Sequence, residues 1–290
     1  MLLVSDKWKE YEILYAGRGE KIEKWGQYIL KRPDPQIFWE MNENSNIKFF
    51  PDAVYHRSNK GGGSWEFIKK LPTSWNISYR DLIFNVKPTG FKHTGIFPEQ
   101  AVNWDYAKEK IENCDKDIKV LNLFAYTGCA TCNASKAGAK EVVHVDASKG
   151  MTQIAKENAK LCGIENNFIR YIVDDVFKFT EKEIRRGRKY DAVIMDPPSY
   201  GRGTNGEIWK LEDSLIKLLS LVNQVLVDKP LFMIVSSYTT GISSISLKNV
   251  INTSTLRKKF RNINTGELSL PIKDSDLLLP CGIYARCDNF

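Results

Sequence analysis

Long apolar runs, paired histidines and the glycine spacing of dinucleotide sites are all missing from this 290-residue sequence. No apolar stretch approaches the ~20 residues that a bilayer-spanning helix needs. The amino-terminal Met1-Leu-Leu-Val-Ser-Asp-Lys-Trp8 is too short an apolar stretch for a secretory signal. No membrane partner is expected, and the cytoplasm is the expected location. Histidines 56, 93 and 144 stand singly, so no histidine pair is available for a zinc site. The six cysteines (114, 129, 132, 162, 281 and 287) lack an export context and read as reduced thiols. Cys129 and Cys132 form a lone C-x-x-C, which is expected to pack under a helix rather than to bind metal or cycle redox state. No metal is expected.

What is present is ordinary in bulk and informative in arrangement. A 42% hydrophobic and 27% charged chain of this length suits a soluble main domain with a smaller companion. The net charge of +7 is unevenly distributed. Leu247–Arg261 carries five basic residues (Lys248, Arg257, Lys258, Lys259, Arg261) and no acid, and Lys178–Lys189 carries six against Glu181 and Glu183. Such runs serve as solvated helix faces; they are also what docking on a phosphate backbone requires. A nucleic-acid partner is the sharper of the two expectations.

Residues 1–95 read as a β-rich domain. Glu12–Tyr15 and Lys24–Leu30 flank Gly17 and Gly19 as a hairpin, and Arg32-Pro-Asp-Pro35 breaks any continuation. Further strands are predicted at Ala53–Arg57, Trp65–Ile68, Trp75–Tyr79 and Leu82–Val86, with Gly61-Gly-Gly63 as a turn. Five of the seven tryptophans precede residue 80, as expected for the core of a small sheet. A stacking surface with Lys60, Lys69, Lys70 and Arg80 is the alternative. Residues 96–290 read as a second domain. Pro98 opens a helix over 101–111, and strands at 119–125, 141–145, 168–173, 190–195 and 230–236 then alternate with helices near 130–138, 149–162, 176–186, 211–227 and 246–260. That alternation predicts a doubly wound α/β parallel sheet covered on both faces, closed by strands at Glu267–Ile272 and Cys281–Cys287.

Four strand ends carry the chemistry. Val120-Leu-Asn-Leu-Phe-Ala-Tyr-Thr-Gly128 runs from an apolar strand into a tight turn, and Val142-Val-His-Val-Asp146 ends the next strand in a carboxylate. This is the layout of a mononucleotide-binding βαβ unit, with Asp146 placed to accept from ribose hydroxyls. The missing G-x-G-x-x-G spacing argues against a pyrophosphate, so S-adenosylmethionine is the leading ligand. His144, inside an apolar strand, reads as core. The third strand ends in Asp174-Asp175, where Asp175 is either a helix cap or an acceptor for an adenine amino group, through separate side-chain and backbone atoms. Tyr190-Asp-Ala-Val-Ile-Met-Asp196-Pro197-Pro198-Ser199-Tyr200-Gly201 runs a strand into a proline doublet. The doublet ends the strand and is expected to leave carbonyls free to accept, with Tyr200 beside it to stack on a flat base. Alone, Asp-Pro-Pro is a common turn.

Taken together in this order and spacing, Asn-Leu-Phe-Ala-Tyr-Thr-Gly, Val-Asp-Ala-Ser-Lys, Asp-Asp-Val-Phe-Lys-Phe and Asp-Pro-Pro-Ser-Tyr-Gly-Arg-Gly resemble class I S-adenosylmethionine-dependent methyltransferases of the group that modifies 23S ribosomal RNA. Gly95-Ile-Phe-Pro-Glu-Gln100 is similar to that group's Gly-x-Phe-x-x-Gln motif. The likeness covers residues 90–240 and resembles a short form without the amino-terminal PUA module. It implies a Rossmann-like methyltransferase sheet behind a small β-rich domain. It further implies that Asn122, Phe124, Tyr126 and Gly128 surround the methionine part of the cofactor, with Asp146 on the ribose and Ala147 beside the adenine. Asp175 and Val176 would contact the adenine ring, Asp196 would sit near the transferred methyl, and Gln100 would face cofactor or target.

One departure bears on the substrate. Cytosine-C5 methylation needs a thiolate, expected after the Asp-Pro-Pro turn or in a Ser-Cys-Ser context at the end of the fifth strand. Here stand Ser199 and Ser236-Ser237-Tyr238, and an ordinary serine hydroxyl cannot replace a thiolate. The expected activity is therefore methylation of a base nitrogen in RNA, with ribosomal RNA as partner and Asp196, Pro197, Pro198 and Tyr200 at the reacting centre. Competing readings are a methyltransferase of a small molecule or protein, a non-catalytic RNA-binding protein and, more distantly, an NAD-dependent oxidoreductase.

Overall fold

The computed structural model describes residues 1–40, 49–58, 62–90, 92–202, 208–239 and 241–290. The chain forms two compact units. The smaller comprises Val4–Ala101 and Ser269–Cys281; the larger comprises Met1–Leu3, Val102–Leu268 and Gly282–Phe290. The boundary expected near residue 95 compares with a chain passage between Ala101 and Val102, and the smaller unit also includes a carboxy-terminal segment.

After the short β1 (Leu2–Val4), the smaller unit holds a five-stranded sheet of β2 (Tyr11–Gly17), β3 (Glu20–Trp25), β4 (Tyr28–Pro33), β5 (Ala53–Arg57) and β6 (Gly63–Phe67), in that order. A separate hairpin pairs β7 (Trp75–Tyr79) with β8 (Leu82–Val86). The stretch Lys24–Leu30, expected as one strand, breaks at Gly26, whose φ of 63° turns the chain between β3 and β4. Trp25 and Tyr28 flank that turn, so the apolar pattern runs across it unbroken. Trp25 is fully buried. Trp8, Trp39, Trp65 and Trp75 donate their indole N–H groups to the carbonyls of Pro98, Ala16, Thr89 and Trp25 at 2.8–3.0 Å. The tryptophans are thus fixed within the unit as structural side chains. Glu23, fully buried, accepts from Arg32 Nε at 2.6 Å, Arg32 Nη2 at 2.7 Å and the Tyr11 hydroxyl at 2.7 Å. Lys60 and Gly61, named above, lie outside the described residues.

The larger unit begins with α1 (Ala101–Glu112) and then alternates β9 (Lys119–Leu123), α2 (Cys129–Lys136), β10 (Glu141–Asp146), α3 (Lys149–Leu161), β11 (Ile169–Val173), α4 (Val176–Arg185) and β12 (Ala192–Met195). A short hairpin follows, β13 (Tyr200–Arg202) with β14 (Ile208–Lys210), and then α5 (Leu211–Val225), β15 (Phe232–Ser237), α6 (Ser244–Thr253), β16 (Asn262–Pro271) and β17 (Leu278–Asp288). The sheet order is β1-β16-β17-β15-β12-β9-β10-β11. Strands β11, β10, β9, β12 and β15 are parallel, and β17 returns antiparallel to β15. Chain order reverses beside β9, which makes the carboxyl edge between β9 and β12 the switch point where such sheets bind ligands.

Alternation along each strand explains the two layers. Leu121, Leu123, Val143, Val145, Val193 and Met195 face the core under α4, α5 and α6. Val120, Val142, Ala192 and Ile194 face the opposite core with Ala107 and Ile111 of α1 and Ala134 of α2. Strands buried on both faces form nearly continuous apolar runs, which is why they were readable. The helix expected over 246–260 is instead α6 followed by a 3₁₀ turn at Thr255–Lys259. There Thr253 Oγ1 and Ser254 Oγ donate to the carbonyls of Asn249 and Ile251, competing with the helical ladder.

Candidate functional site

Parallel register places the ends of β9, β10, β11 and β12 along one edge: Leu123 lies beside Val145 and Met195, and Asp146 beside Val173. The turn after β9 is bent sharply. Phe124 and Tyr126 adopt φ of 54° and 50°, and Gly128 adopts 81° as it enters α2. Only glycine fits at 128, because a Cβ there would lie 2.7 Å from Ala155 Cβ on α3. The turn is tied to the next strand by Ala125 N–H donating to Val145 O at 3.0 Å, and by Tyr126 N–H donating to Asp146 Oδ2 at 2.8 Å.

Asp146 therefore both shapes this turn and stands at its rim. Its Oδ1 accepts from Ser148 N–H at 2.8 Å. Burial raises its pKa, and the hydrogen bonds from Ser148 and Tyr126 oppose that shift. Each carboxylate oxygen keeps a second lone pair, enough for two vicinal hydroxyls. Ala147 beside it is exposed. Asn122 is buried, and its amide donates to Thr131 Oγ1 at 2.9 Å, which in turn lies 3.0 Å from His144 Nδ1. His144 is fully buried, as expected for core, and burial holds its pKa down to about 3. The C-x-x-C thiols are buried too, and burial pushes Cys129 up to about 12.

At the third strand end both readings of Asp175 are narrowed. Its Oδ1 caps α4 by accepting from Phe177 N–H and Lys178 N–H at 3.0 Å. Its own N–H donates to Asp174 Oδ1 at 3.0 Å, so the backbone donor considered for adenine is already engaged. The remaining acceptor is Oδ2. The Val176 side chain, expected against adenine, is buried in the core with Leu121 and Val143; Phe177 is the partly buried neighbour.

The Asp-Pro-Pro turn also differs from expectation. Its carbonyls are not free: Pro197 O accepts from Ser237 Oγ at 3.3 Å, and Pro198 O accepts from Trp209 Nε1 at 2.5 Å. The adjacent strand β15 and the returning hairpin strand supply those donors. Trp209 was not identified from sequence. It stands across the hairpin from Gly201, with its ring centroid 4.9 Å from Phe124 and 5.7 Å from Phe177. It thereby links the turns after β9, β11 and β12. No local sequence signal marks it, since its partners come from three separate strand ends. Asp196 is partly buried; burial pushes its carboxyl up to about 6, against a hydrogen bond from Ser236. Pro198, Ser199 and Tyr200 are exposed. Gln100 lies in the smaller unit, in the 3₁₀ turn Pro98–Gln100. Gly203 of the Asp-Pro-Pro motif lies outside the described residues. Among the described residues no cluster of three or more His, Cys, Asp or Glu side chains could hold a metal ion, and no helix is long and apolar enough to cross a membrane.

Comparison with known proteins accords with this geometry. Two curated relatives are ribosomal RNA large subunit methyltransferases I. That of Aeromonas hydrophila is 37% identical over 107 residues, covering 37% of this chain and 26% of the relative. That of Alteromonas mediterranea is 38% identical over 162 residues, covering 53% and 40%. These matches span well under half the length of the curated relatives. A solved S-adenosylmethionine-dependent methyltransferase from Agrobacterium tumefaciens superposes with a TM-score of 0.91 at 34% identity, covering 100% of this chain and 94% of that one. The S-adenosylmethionine-dependent methyltransferase family matches residues 53–237. On its fold, its strand-end residues and these likenesses, this chain belongs to the family of S-adenosylmethionine-dependent methyltransferases.

Proposed function

We propose that the chain methylates a base nitrogen in RNA, with ribosomal RNA as the substrate class and the cytoplasm as its place of action. The observation that carries this reading is Asp196: a carboxyl with its pKa pushed up to about 6, at the switch point and beside an exposed Pro198-Ser199-Tyr200 rim. The carboxylate strand end, with spare acceptor capacity on Asp146, fits S-adenosylmethionine. Asp146 would hold the ribose hydroxyls, Asp175 Oδ2 the adenine amino group, and the turn Phe124–Gly128 with Asn122 the methionine end. When bound, the cofactor supplies an activated methyl group for in-line displacement.

The protein's own task is then to place and desolvate the acceptor. Asp196 would accept from the acceptor N–H as positive charge develops, and its raised pKa suits proton transfer near neutral pH. Tyr200 would stack on the base. Pro197 and Pro198, held by Ser237 and Trp209, would keep that rim rigid. Gln100 would face the cofactor or the target, with the β-rich domain taken as residues 1–95 and the methyltransferase domain as 96–290. Cytosine-C5 chemistry is disfavoured by the residues at the rim. Serines stand at 199, 236 and 237; burial raises the thiol pKa of Cys129, Cys281 and Cys287, and a hydrogen bond with Cys162 together with burial raises that of Cys132, removing the thiolate.

The names of the curated relatives support RNA as the substrate class. Modified nucleosides of ribosomal RNA from a deletion strain and its parent, compared by mass spectrometry, test the reading. Loss of one N-methylated base is expected. Loss of a C5-methylpyrimidine would overturn the nitrogen assignment, and an unchanged profile would overturn ribosomal RNA as substrate.

A further inference from the structure

The basic ends of the two runs, Arg185–Lys189 and Arg257–Arg261, take no part in the site above, yet the fold gathers them at one edge. Lys189 Nζ donates to the Gln224 carbonyl at 2.6 Å, and Lys259 Nζ donates to the Leu226 and Val227 carbonyls at 2.9 Å. The carboxy-terminal ends of both runs thus converge on the end of α5. Asn289 joins the same place: its amide donates to Pro230 O at 2.9 Å and Lys259 O at 3.0 Å, and its Oδ1 accepts from Arg261 N–H at 3.0 Å. The segments concerned connect α4 to β12, α5 to β15 and the 3₁₀ turn to β16. Two of them feed directly into parallel strands, so they mark the amino edge of the sheet, opposite the Asp-Pro-Pro rim.

Some of these charges have a structural use. Lys189 and Lys259 satisfy carbonyls left over at the end of α5. Arg170, Arg186 and Arg188 neutralise the buried Glu141 and Glu183. Arg185, Lys229, Lys258 and Arg261 are different. All four are exposed, and their side chains enter no ion pair among the described residues. Within 185–189, 227–230 and 254–261 the one carboxylate is Asp228, 3.6 Å from Lys259. A fold that collects like charge without internal partners gains most from a polyanion.

We propose that this edge docks the phosphate backbone of RNA at a distance from the base being methylated. The inference rests on RNA as the substrate class and adds where the RNA is held. At about 3.3 Å per residue, a five-residue strand such as β9 separates the two edges by roughly 17 Å. An RNA that touches both must run or fold across the sheet, so a long or structured RNA is preferred to a mononucleotide.

The test uses the full chain and a quadruple variant, Arg185→Gln, Lys229→Gln, Lys258→Gln and Arg261→Gln, all outside the proposed catalytic residues. Each is titrated by fluorescence anisotropy against a labelled single-stranded RNA of about forty nucleotides over a series of KCl concentrations. The expected result is binding weaker by more than about a hundredfold at about 0.1 M KCl and a log Kd–log salt slope smaller by roughly 3, at about 0.7 per lost phosphate contact. Affinity for S-adenosylhomocysteine, measured by calorimetry, is unchanged. The charge-keeping variant Arg185→Lys, Lys229→Arg, Lys258→Arg and Arg261→Lys binds like the parent. Equal affinity and slope in parent and Gln variant overturn the proposal. So does a parent that binds phosphatidylglycerol vesicles through these residues and not RNA. RNA bound through this edge with no methyl incorporated would support the docking surface while sinking the substrate assignment.

Discussion

Replacing Asp196 by Asn removes a charge while keeping the shape of the side chain, and the structure assigns that charge a cost to stability. Burial raises its carboxyl from 3.8 to about 6, which corresponds to about 3 kcal/mol between protonation states. The folded state holds this proton more tightly than the unfolded one, so ionisation works against folding. Stability from this group is fully present below about 3.8 and falls as pH rises through about 6. Asp196→Asn is therefore expected to be more stable than the parent at pH values above about 7, by at most about 3 kcal/mol, and to lose that gain below about pH 4. Urea unfolding of both proteins at each pH gives the comparison. Methyl transfer should fall by about a hundredfold or more, while S-adenosylhomocysteine affinity measured by calorimetry changes little. In the parent, kcat should rise with pH through about 6, and the variant should lack that limb. A variant less stable than the parent at pH 8, or a stability gain independent of pH, would refute the placement of a costly carboxylate at the reacting centre.

Three further outcomes follow from the same geometry. Gly128→Ala combines a φ of 81° with a Cβ 2.7 Å from Ala155 Cβ, so it should lose more than about 2 kcal/mol in urea unfolding; Ala155→Gly should restore part of the loss, and an unchanged midpoint would be the contrary result. Asp146→Ala removes the acceptor of two backbone N–H groups as well as the proposed ribose contact, and calorimetry should show affinity for S-adenosylhomocysteine weakened by about 10- to 100-fold. Trp209→Phe keeps a ring against Phe124 and Phe177 but leaves Pro198 O without its donor. It should lower kcat several-fold with cofactor affinity unchanged, and a variant with parental kcat would show that the indole N–H does not position the rim.

The parallel strands were legible because burial on both faces demands nearly continuous apolar residues, and β9, β10 and β12 meet that demand. The carboxylates were legible for a related reason. Asp146 and Asp196 interrupt apolar runs at strand ends, where only a turn or a ligand accounts for a charge. Illegible was whatever depends on which strands become neighbours. That Pro197 O would be met by Ser237 requires knowing that β15 lies beside β12. That Pro198 O would be met by Trp209 requires the return of the β13–β14 hairpin. Asp175 shows the intermediate case: its capping role follows from local sequence, whereas the engagement of its N–H by Asp174 depends on a side-chain rotamer. The turn at Gly26 was hidden by the aromatics on either side of it.

The engaged carbonyls change what the proline doublet can do. With Ser237 and Trp209 as donors, Pro197 O and Pro198 O retain at most their second lone pairs, and each lies in a fixed direction. The strongest acceptor in the turn is then the Asp196 carboxylate, which bonds with Ser236 and immediately precedes the two held prolines. Trp209 rests edge-on against Phe124, the residue that follows β9. A ligand that orders the Phe124–Gly128 turn would therefore also order Trp209 and, through it, the rim beside Asp196. On the proposed site assignment, cofactor binding and assembly of the acceptor site would be coupled through this indole ring. Substrate affinity should accordingly be higher with S-adenosylhomocysteine bound than without it, and Trp209→Phe should weaken that dependence because the ring remains while its tie to Pro198 is lost.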